Sequence, residues 1–358
     1  MSECRTLRSF GPIQGIASDT RLRISIDDEE KINVQCGIGR EGDLVLVEST
    51  GEGGAYKEME DLNGHGMRIY KKQRFIAVLG NRESSKYLVG GLPKEGLSIL
   101  ENGDTHVHLL ASGGIMGICQ ESPHYMGPPS VFRCLGLLKR NGITMNTQDS
   151  INYIQGELQQ SKPILLVAGT ATDVGKTTVT SNIIHRLVCD HQLKVAATKL
   201  AGTGCLEDTL QHRDAGAEIT LDFPDVGLPS TYTSPEKYLI GIRTLLTKAN
   251  ERQPDIIVSE LGGDIIWGNI PTLLTSSDIM RHVIGLVLVP FDVLSAIGTM
   301  QLLREWNVTV PIYIINSPFR NNLAIQMRVK RYLNMDSYSS VNITDLDRLV
   351  TTFLQNIK

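Results

Sequence analysis

No stretch of about 18 consecutive apolar residues occurs in the chain, so no membrane-spanning helix is expected. The opening residues, MSECRTLRSF, hold no apolar core of the kind found in a secretory signal, and the cytoplasm is the expected compartment. The six cysteines (Cys4, Cys36, Cys119, Cys134, Cys189 and Cys205) include no C-x-x-C pair, and so scattered they read as reduced thiols. An excess of positive charge is also missing. The formal net charge is −4, which argues against a nucleic-acid surface as the main business of the protein. What is present is ordinary for a globular protein with a real core: 41% hydrophobic and 21% charged residues. A length of 358 residues makes two domains the natural expectation.

The most informative stretch is ILLVAGTATDVGKTTVT, residues 164–180. Residues 164–167 read as a buried strand, and an apolar-periodic helix follows the glycine loop through Val188. Strand, glycine loop and helix start in that order make a phosphate cradle, because loop N–H groups and the helix N-terminus converge on one anionic spot. The cradle spans Gly169, Thr170, Thr172, Asp173, Val174, Gly175, Lys176, Thr177 and Thr178. Lys176 would reach the outer phosphates, and the Thr177 hydroxyl a Mg²⁺ ion. Gly169 lies one residue further from Gly175 than G-x-x-x-x-G-K-[ST] requires.

The first part of the chain, 1–149, reads as a β-rich domain of barrel or sandwich type. Short apolar or alternating runs recur at 22–26, 32–36, 43–48, 67–70, 75–79 and 106–110, separated by glycine-bearing turns. The glycine loop at 112–117 serves either as a close approach to a ligand or as a bend between strands. His106 and His108 would share a strand face, but no third metal ligand stands at suitable spacing. A short helix is expected at 151–158.

From residue 150 to 358, strand and helix patterns alternate. The expected fold is α/β, a P-loop doubly wound and mostly parallel sheet covered by helices. Further strands are expected at 193–200, 256–261, 285–290 and 310–316, and helices at 235–251, 295–306, 322–333 and 344–357. Ser234-Pro235 is a strong helix start, a hydroxyl N-cap followed by proline. Ligands bind such sheets beyond the carboxyl ends of the strands. Lys199, Asp214, Glu260 and Asn316 all fall just after strands or in the segments that follow them. A carboxylate at a strand end beside a phosphate loop is where a second Mg²⁺ contact is expected.

These residues resemble dethiobiotin synthetase and related P-loop ligases over about residues 163–319. GTATDVGKTT is similar to that family's G-T-x-T-[DE]-V-G-K-T, extra residue included. Lys199-Leu200-Ala201-Gly202-Thr203-Gly204 resembles K-P-V-x-S-G, and Ser259-Glu260-Leu261-Gly262-Gly263 resembles V-E-G-A-G-G. Arg213-Asp214-Ala215 matches the segment that carries the metal-binding aspartate. The resemblance implies that Thr177, Asp214 and Glu260 hold Mg²⁺, that Lys199 and Thr203 bind the acid attacking the γ-phosphate, and that Asn316 reads adenine. It also implies a homodimer with substrate at the subunit interface. Leu261 interrupts the glycine run, Asp264 adds a negative charge, and the first domain has no counterpart in that family, so biotin synthesis is not expected.

The expected function is an ATP- and Mg²⁺-dependent ligase or synthase that activates a small carboxylate-like acid by γ-phosphoryl transfer. Lys176, Lys199 and Thr203 would carry the catalysis. The absence of an N-K-x-D-like element near Asn316 favours ATP over GTP. The alternative is a nucleotide-driven switch whose first domain docks on a protein partner.

Overall fold

The computed structural model describes residues 5–101 and 104–357. Two compact units result, one comprising Met1–Asn152, Thr203–Leu206 and Phe223–Tyr232, the other Tyr153–Gly202, Glu207–Asp222 and Thr233–Lys358. Cys36, Cys119, Cys134, Cys189 and Cys205 are free thiols, and Cys4 lies outside the described residues.

The first unit is built on strands that close on themselves. Ser130–Arg140 pairs with Leu44–Ser49, which pairs with Arg74–Leu79, then Ile115–Glu121, then His106–Leu109, which returns to Ser130–Arg140. A closed ring of pairings is a barrel, which leaves no free edge within the ring. Val45, Ala77, Val107, Met116 and Phe132 come from all five strands into one buried cluster, so this cluster fills the barrel. The alternate residues Leu44, Leu46, Ile76 and Val78 enter a second cluster on the other side of the strands.

One strand expected for this unit is absent. Residues 22–26 form no strand; the chain instead enters a single helical turn, Ile26–Glu29, capped by Ser25. The glycine loop is a bend between two ring strands, with the Leu110 N–H donating to the Ile115 carbonyl and Gly114 at φ 100°. His108 Nδ1 accepts the Cys119 N–H, so that nitrogen is committed to the sheet.

The second unit is a seven-stranded sheet in which every pairing is parallel. Its strands are β1 (Ile164–Gly169), β2 (Val195–Ala201), β3 (Ile219–Asp222), β4 (Ile256–Leu261), β5 (Val283–Val289), β6 (Ile312–Asn316) and β7 (Ser337–Ser339), in the order β3-β2-β4-β1-β5-β6-β7. Between them run α1 (Lys176–Cys189), α2 (Leu206–Asp214), α3 (Pro235–Asn250), α4 (Ile270–Leu274), α5 (Ser277–Met280), α6 (Val293–Glu305) and α7 (Asn322–Leu333), and α8 (Ile343–Leu354) follows the last strand. Helix α3 begins as its sequence demands, with the Ser234 side chain accepting the Lys237 N–H and Pro235 in the first turn.

Side-chain alternation divides the sheet's two faces. Leu165, Val167, Ala197 and Val258 meet Val179 and Ile183 of α1 and Leu349 and Phe353 of α8. Ile314, between two residues of that cluster, points the other way and packs against Val293 of α6 and Ile325 and Val329 of α7. Each fully buried aliphatic side chain contributes about 1.5–3 kcal/mol, so the two faces together clamp the strands in register. The segment 151–158 is not helical. Two of its backbone N–H groups are taken by distant side chains, Ile154 by Thr244 Oγ1 and Leu158 by the Asp278 carboxylate. Edge strands β3 and β7 and helices α2, α4 and α5 escaped the sequence reading, being short or weakly apolar.

Candidate functional site

Because all strands run one way, their carboxyl ends share one edge, and β1 delivers the glycine loop there. Gly169, the last residue of β1, has no room for a side chain: a Cβ would come 2.7 Å from Val174 Cγ2 and 2.9 Å from Lys176 Cδ. Gly175 adopts φ 93° and caps α1, and a Cβ there would sit 2.5 Å from Pro318 Cδ. Asp173 is also left-handed, at φ 60°. Thr170 ties the loop to the neighbouring strand. Its N–H donates to the Val289 carbonyl at 3.2 Å, and its hydroxyl accepts the Phe291 N–H at 2.8 Å. Val174 is buried in the core, whereas Thr172 is half-buried and Thr178 exposed.

Lys176, the first residue of α1, is buried and donates from Nζ to the Ala171 carbonyl at 2.8 Å. The ammonium thus lies back inside its own loop. Burial pulls its pKa below the ordinary lysine value, against the opposing pull of Glu260, Asp208, Asp173 and Asp264.

Register places the next two groups. Lys199 of β2 and Glu260 of β4 are direct partners, and Glu260 also pairs with Val167 of β1. All three continue the face that packs on α1, so Lys199 and Glu260 point toward the start of that helix. Thr177 meets them there. Its Oγ1 donates to Asp208 Oδ1 at 2.8 Å and lies 3.1 Å from Glu260 Oε1. Lys199 Nζ stands 2.6 Å from Asp208 Oδ2, and His212 Nε2 stands 3.1 Å from Glu260 Oε2. Burial pushes the Asp208 carboxyl up, but the Lys199 charge and the hydrogen bonds from Lys199 and Thr177 outweigh it and hold the pKa below the usual range.

The carboxylate that joins Glu260 beside Thr177 is therefore Asp208, not the expected Asp214. Asp208 lies in the first turn of α2, and Asp214 ends that helix six residues on. Six residues rotate a helix by about 240° beyond one full turn, so Asp214 faces away from Asp208 and is exposed. His212 is four residues from Asp208 and shares its face. An aspartate and a histidine at that spacing were readable in the sequence as a pair, but with so few apolar residues the helix itself was missed.

Thr203 groups with the first unit, where it forms an isolated bridge to Ser230. Asn316 ends β6 and is fully buried. Its Nδ2 donates to the Asn322 carbonyl at 3.4 Å, and its Oδ1 is buried without a hydrogen-bond partner among the described residues. The segment after it, Pro318-Phe319, lies against Gly175 of the loop.

No group of three or more His, Cys, Asp or Glu side chains arranged for a metal exists among the described residues. The donor set here is different, comprising two carboxylates and one hydroxyl. All are hard oxygen ligands, the kind Mg²⁺ takes. A hydroxyl has one proton and can donate to only one of two carboxylates, so the second faces a lone pair unless a cation lies between them. The residues present fit a divalent ion. Among the described residues, no helix is long and apolar enough to cross a membrane.

No family model matches the chain, and no curated protein does. Solved structures are similar to about half of it. A ParA family ATPase from Chlorobium tepidum TLS is 14% identical, with 55% of this chain and 92% of that one covered at TM-score 0.35. The signal recognition particle receptor FtsY from Elizabethkingia anophelis, in complex with GDP, is 14% identical, with 58% and 65% covered at TM-score 0.37. A DUF1611 family protein from Anabaena variabilis is 12% identical, with 61% and 66% covered at TM-score 0.39.

Proposed function

We propose that this protein is an ATP- and Mg²⁺-dependent enzyme that transfers the γ-phosphoryl group to a small carboxylate-like acid. The observation that carries the reading is the convergence of Asp208 and Glu260 on the Thr177 hydroxyl, at 2.8 and 3.1 Å, one residue after the buried Lys176. Thr177, Asp208 and Glu260 would hold Mg²⁺, which when bound neutralises charge on the β- and γ-phosphates. The loop amides and α1 N-terminus bind the phosphates, and Lys176 leaves the Ala171 carbonyl for their oxygens. Lys199, buried one strand from Glu260, orients the attacking acid and offsets repulsion between two anions. Such transfer needs charge compensation and in-line placement rather than a covalent intermediate on the protein.

Asn316 supports adenine as the base. Its Oδ1, buried without a partner among the described residues, would accept from the exocyclic amine of adenine. A homodimer is proposed with it. Phe291, Leu294, Phe319 and Leu323 are exposed apolar side chains, Phe319 beside the loop glycine, and a second copy would cover them. Light scattering that shows a monomer with and without Mg²⁺-ATP would remove that part.

One observation favours the second reading, a nucleotide-driven switch acting on a protein partner. Lys199 is already paired with Asp208, as it would be if it served the nucleotide side alone. The experiment that separates the two is ADP release from Mg²⁺-ATP with and without a panel of small carboxylic acids. Release driven by one acid, with a phosphorylated or ligated product by mass spectrometry, supports the enzyme. Slow release indifferent to every acid supports the switch.

A further inference from the structure

Lys199 is 4% exposed, and its ammonium lies 2.6 Å from Asp208 Oδ2 while the other oxygen of that carboxylate accepts from Thr177. One of the three oxygen groups that would ligate a cation thus already has one beside it, an ammonium on a flexible stem. A half-buried carboxylate beside the buried Glu260 is costly without a counter-charge, so the metal-free protein needs such an ion. Lys199 and Glu260 are register partners on adjacent strands, so a dication held by Asp208 and Glu260 would face this ammonium at close range, like charge to like. The stem runs past Gly262, where a Cβ would come 3.3 Å from Lys199 Cε, so any side chain at that position would crowd it.

We infer that Lys199 is the resident counter-ion of the metal site, holding Asp208 until a divalent cation takes over that carboxylate, so that metal loading and the freeing of Lys199 for an anionic substrate are one exchange. The inference rests on reading Thr177, Asp208 and Glu260 as the metal site. It makes Asp208 the coupling residue between two ligands, and it orders them: without metal, Lys199 is neutralised and the acid has no anchor. Linkage makes the effect reciprocal, so an anion that draws Lys199 away must also tighten metal binding.

The test uses Mn²⁺ as probe, read by electron paramagnetic resonance, with the full chain and no nucleotide. Lys199→Met keeps the stem's length and removes the charge; Lys199→Arg keeps the charge. The exchange predicts Mn²⁺ binding about tenfold tighter in Lys199→Met and no tighter than wild type in Lys199→Arg. Equal or weaker binding by a folded Lys199→Met protein overturns it, since a merely structural lysine would give that result. If Lys199→Met does not fold in metal-free buffer, thermal unfolding with Mn²⁺ decides. Recovery of the folded state by metal supports the exchange, and no recovery at saturating Mn²⁺ overturns it. Wild type with a non-hydrolysable ATP analogue is the control. No Mn²⁺ binding there defeats the metal-site reading itself, whereas normal binding there with an unchanged Lys199→Met affinity defeats only the exchange.

Discussion

His212 Nε2 lies 3.1 Å from Glu260 Oε2, and both side chains are buried. With Nε2 as the donor, Glu260 accepts from His212 through one oxygen and keeps the other for Thr177. His212 is in this way a positioning residue, choosing which oxygen of Glu260 faces Thr177. His212→Leu leaves a buried carboxylate oxygen unsatisfied and should lower stability by about 1–3 kcal/mol and Mn²⁺-nucleotide affinity about tenfold or more. His212→Gln, which keeps a donor, should recover most of the affinity. Chemical denaturation and Mn²⁺ titration check both, and equal metal affinity in the Leu and Gln proteins would reduce His212 to packing.

Asp208 and Asp214 make opposite predictions from one helix. Asp208→Asn should reduce Mg²⁺-dependent nucleotide affinity at least about tenfold, the scale of a lost metal ligand. Asp214→Asn should leave affinity unchanged, because its side chain is exposed at the far end of α2. Titration calorimetry with Mg²⁺-ATP ranks the pair, and the reverse ranking would restore the sequence-based assignment.

Lys176→Ala should abolish detectable ATP binding while the protein stays folded, since the variant loses one hydrogen bond, to the Ala171 carbonyl, and a buried charge. Lys199→Ala should keep nucleotide binding and lose acid-dependent turnover. Loss of ATP binding in Lys199→Ala instead would assign that lysine to the phosphates.

Asp278 supplies a pH-dependent test of the scaffold. Burial pushes its carboxyl up, but hydrogen bonds from Arg243, Ser276 and the Leu158 N–H, together with the Arg243 charge, hold it far below the ordinary value. A depressed folded-state pKa adds stability that is full above the unfolded value of about 3.9 and disappears as pH falls below it. Asp278→Asn should therefore cost about 2–4 kcal/mol near pH 7, where Arg243 is left without its partner, and progressively less toward pH 3. Urea denaturation at pH 7, 5 and 3 measures it; a constant difference across that range would contradict the assignment.

Legibility followed the strength of local signals. Strand β4 and helix α7 occupy the ranges read from sequence, because a run opening on three branched apolar residues and a capped amphipathic period each admit one structure. That Thr177 and Glu260 would meet was readable from the rule that ligands gather at strand ends. Asp208 was not, because α2 carries little apolar periodicity and its placement is decided by tertiary contacts such as the Thr177 hydroxyl. The segment 151–158 misled for the complementary reason: its spacing suits a helix, but Thr244 and Asp278 capture its N–H groups. The eleven-residue strand Ser130–Arg140 was hidden by Gly136, where its pairing with Leu44–Ser49 shifts register.

The central claim is that the Thr177 hydroxyl, Asp208 and Glu260 form one metal site serving a nucleoside triphosphate. Its most direct measurement is ATP affinity by titration calorimetry, with Mg²⁺ and with chelator, for wild type and Thr177→Val. Wild type should bind at least about tenfold tighter with Mg²⁺, and Thr177→Val, folded and isosteric, should show no such gain. Equal affinity of wild type with and without Mg²⁺, or an undiminished gain in Thr177→Val, would contradict the account.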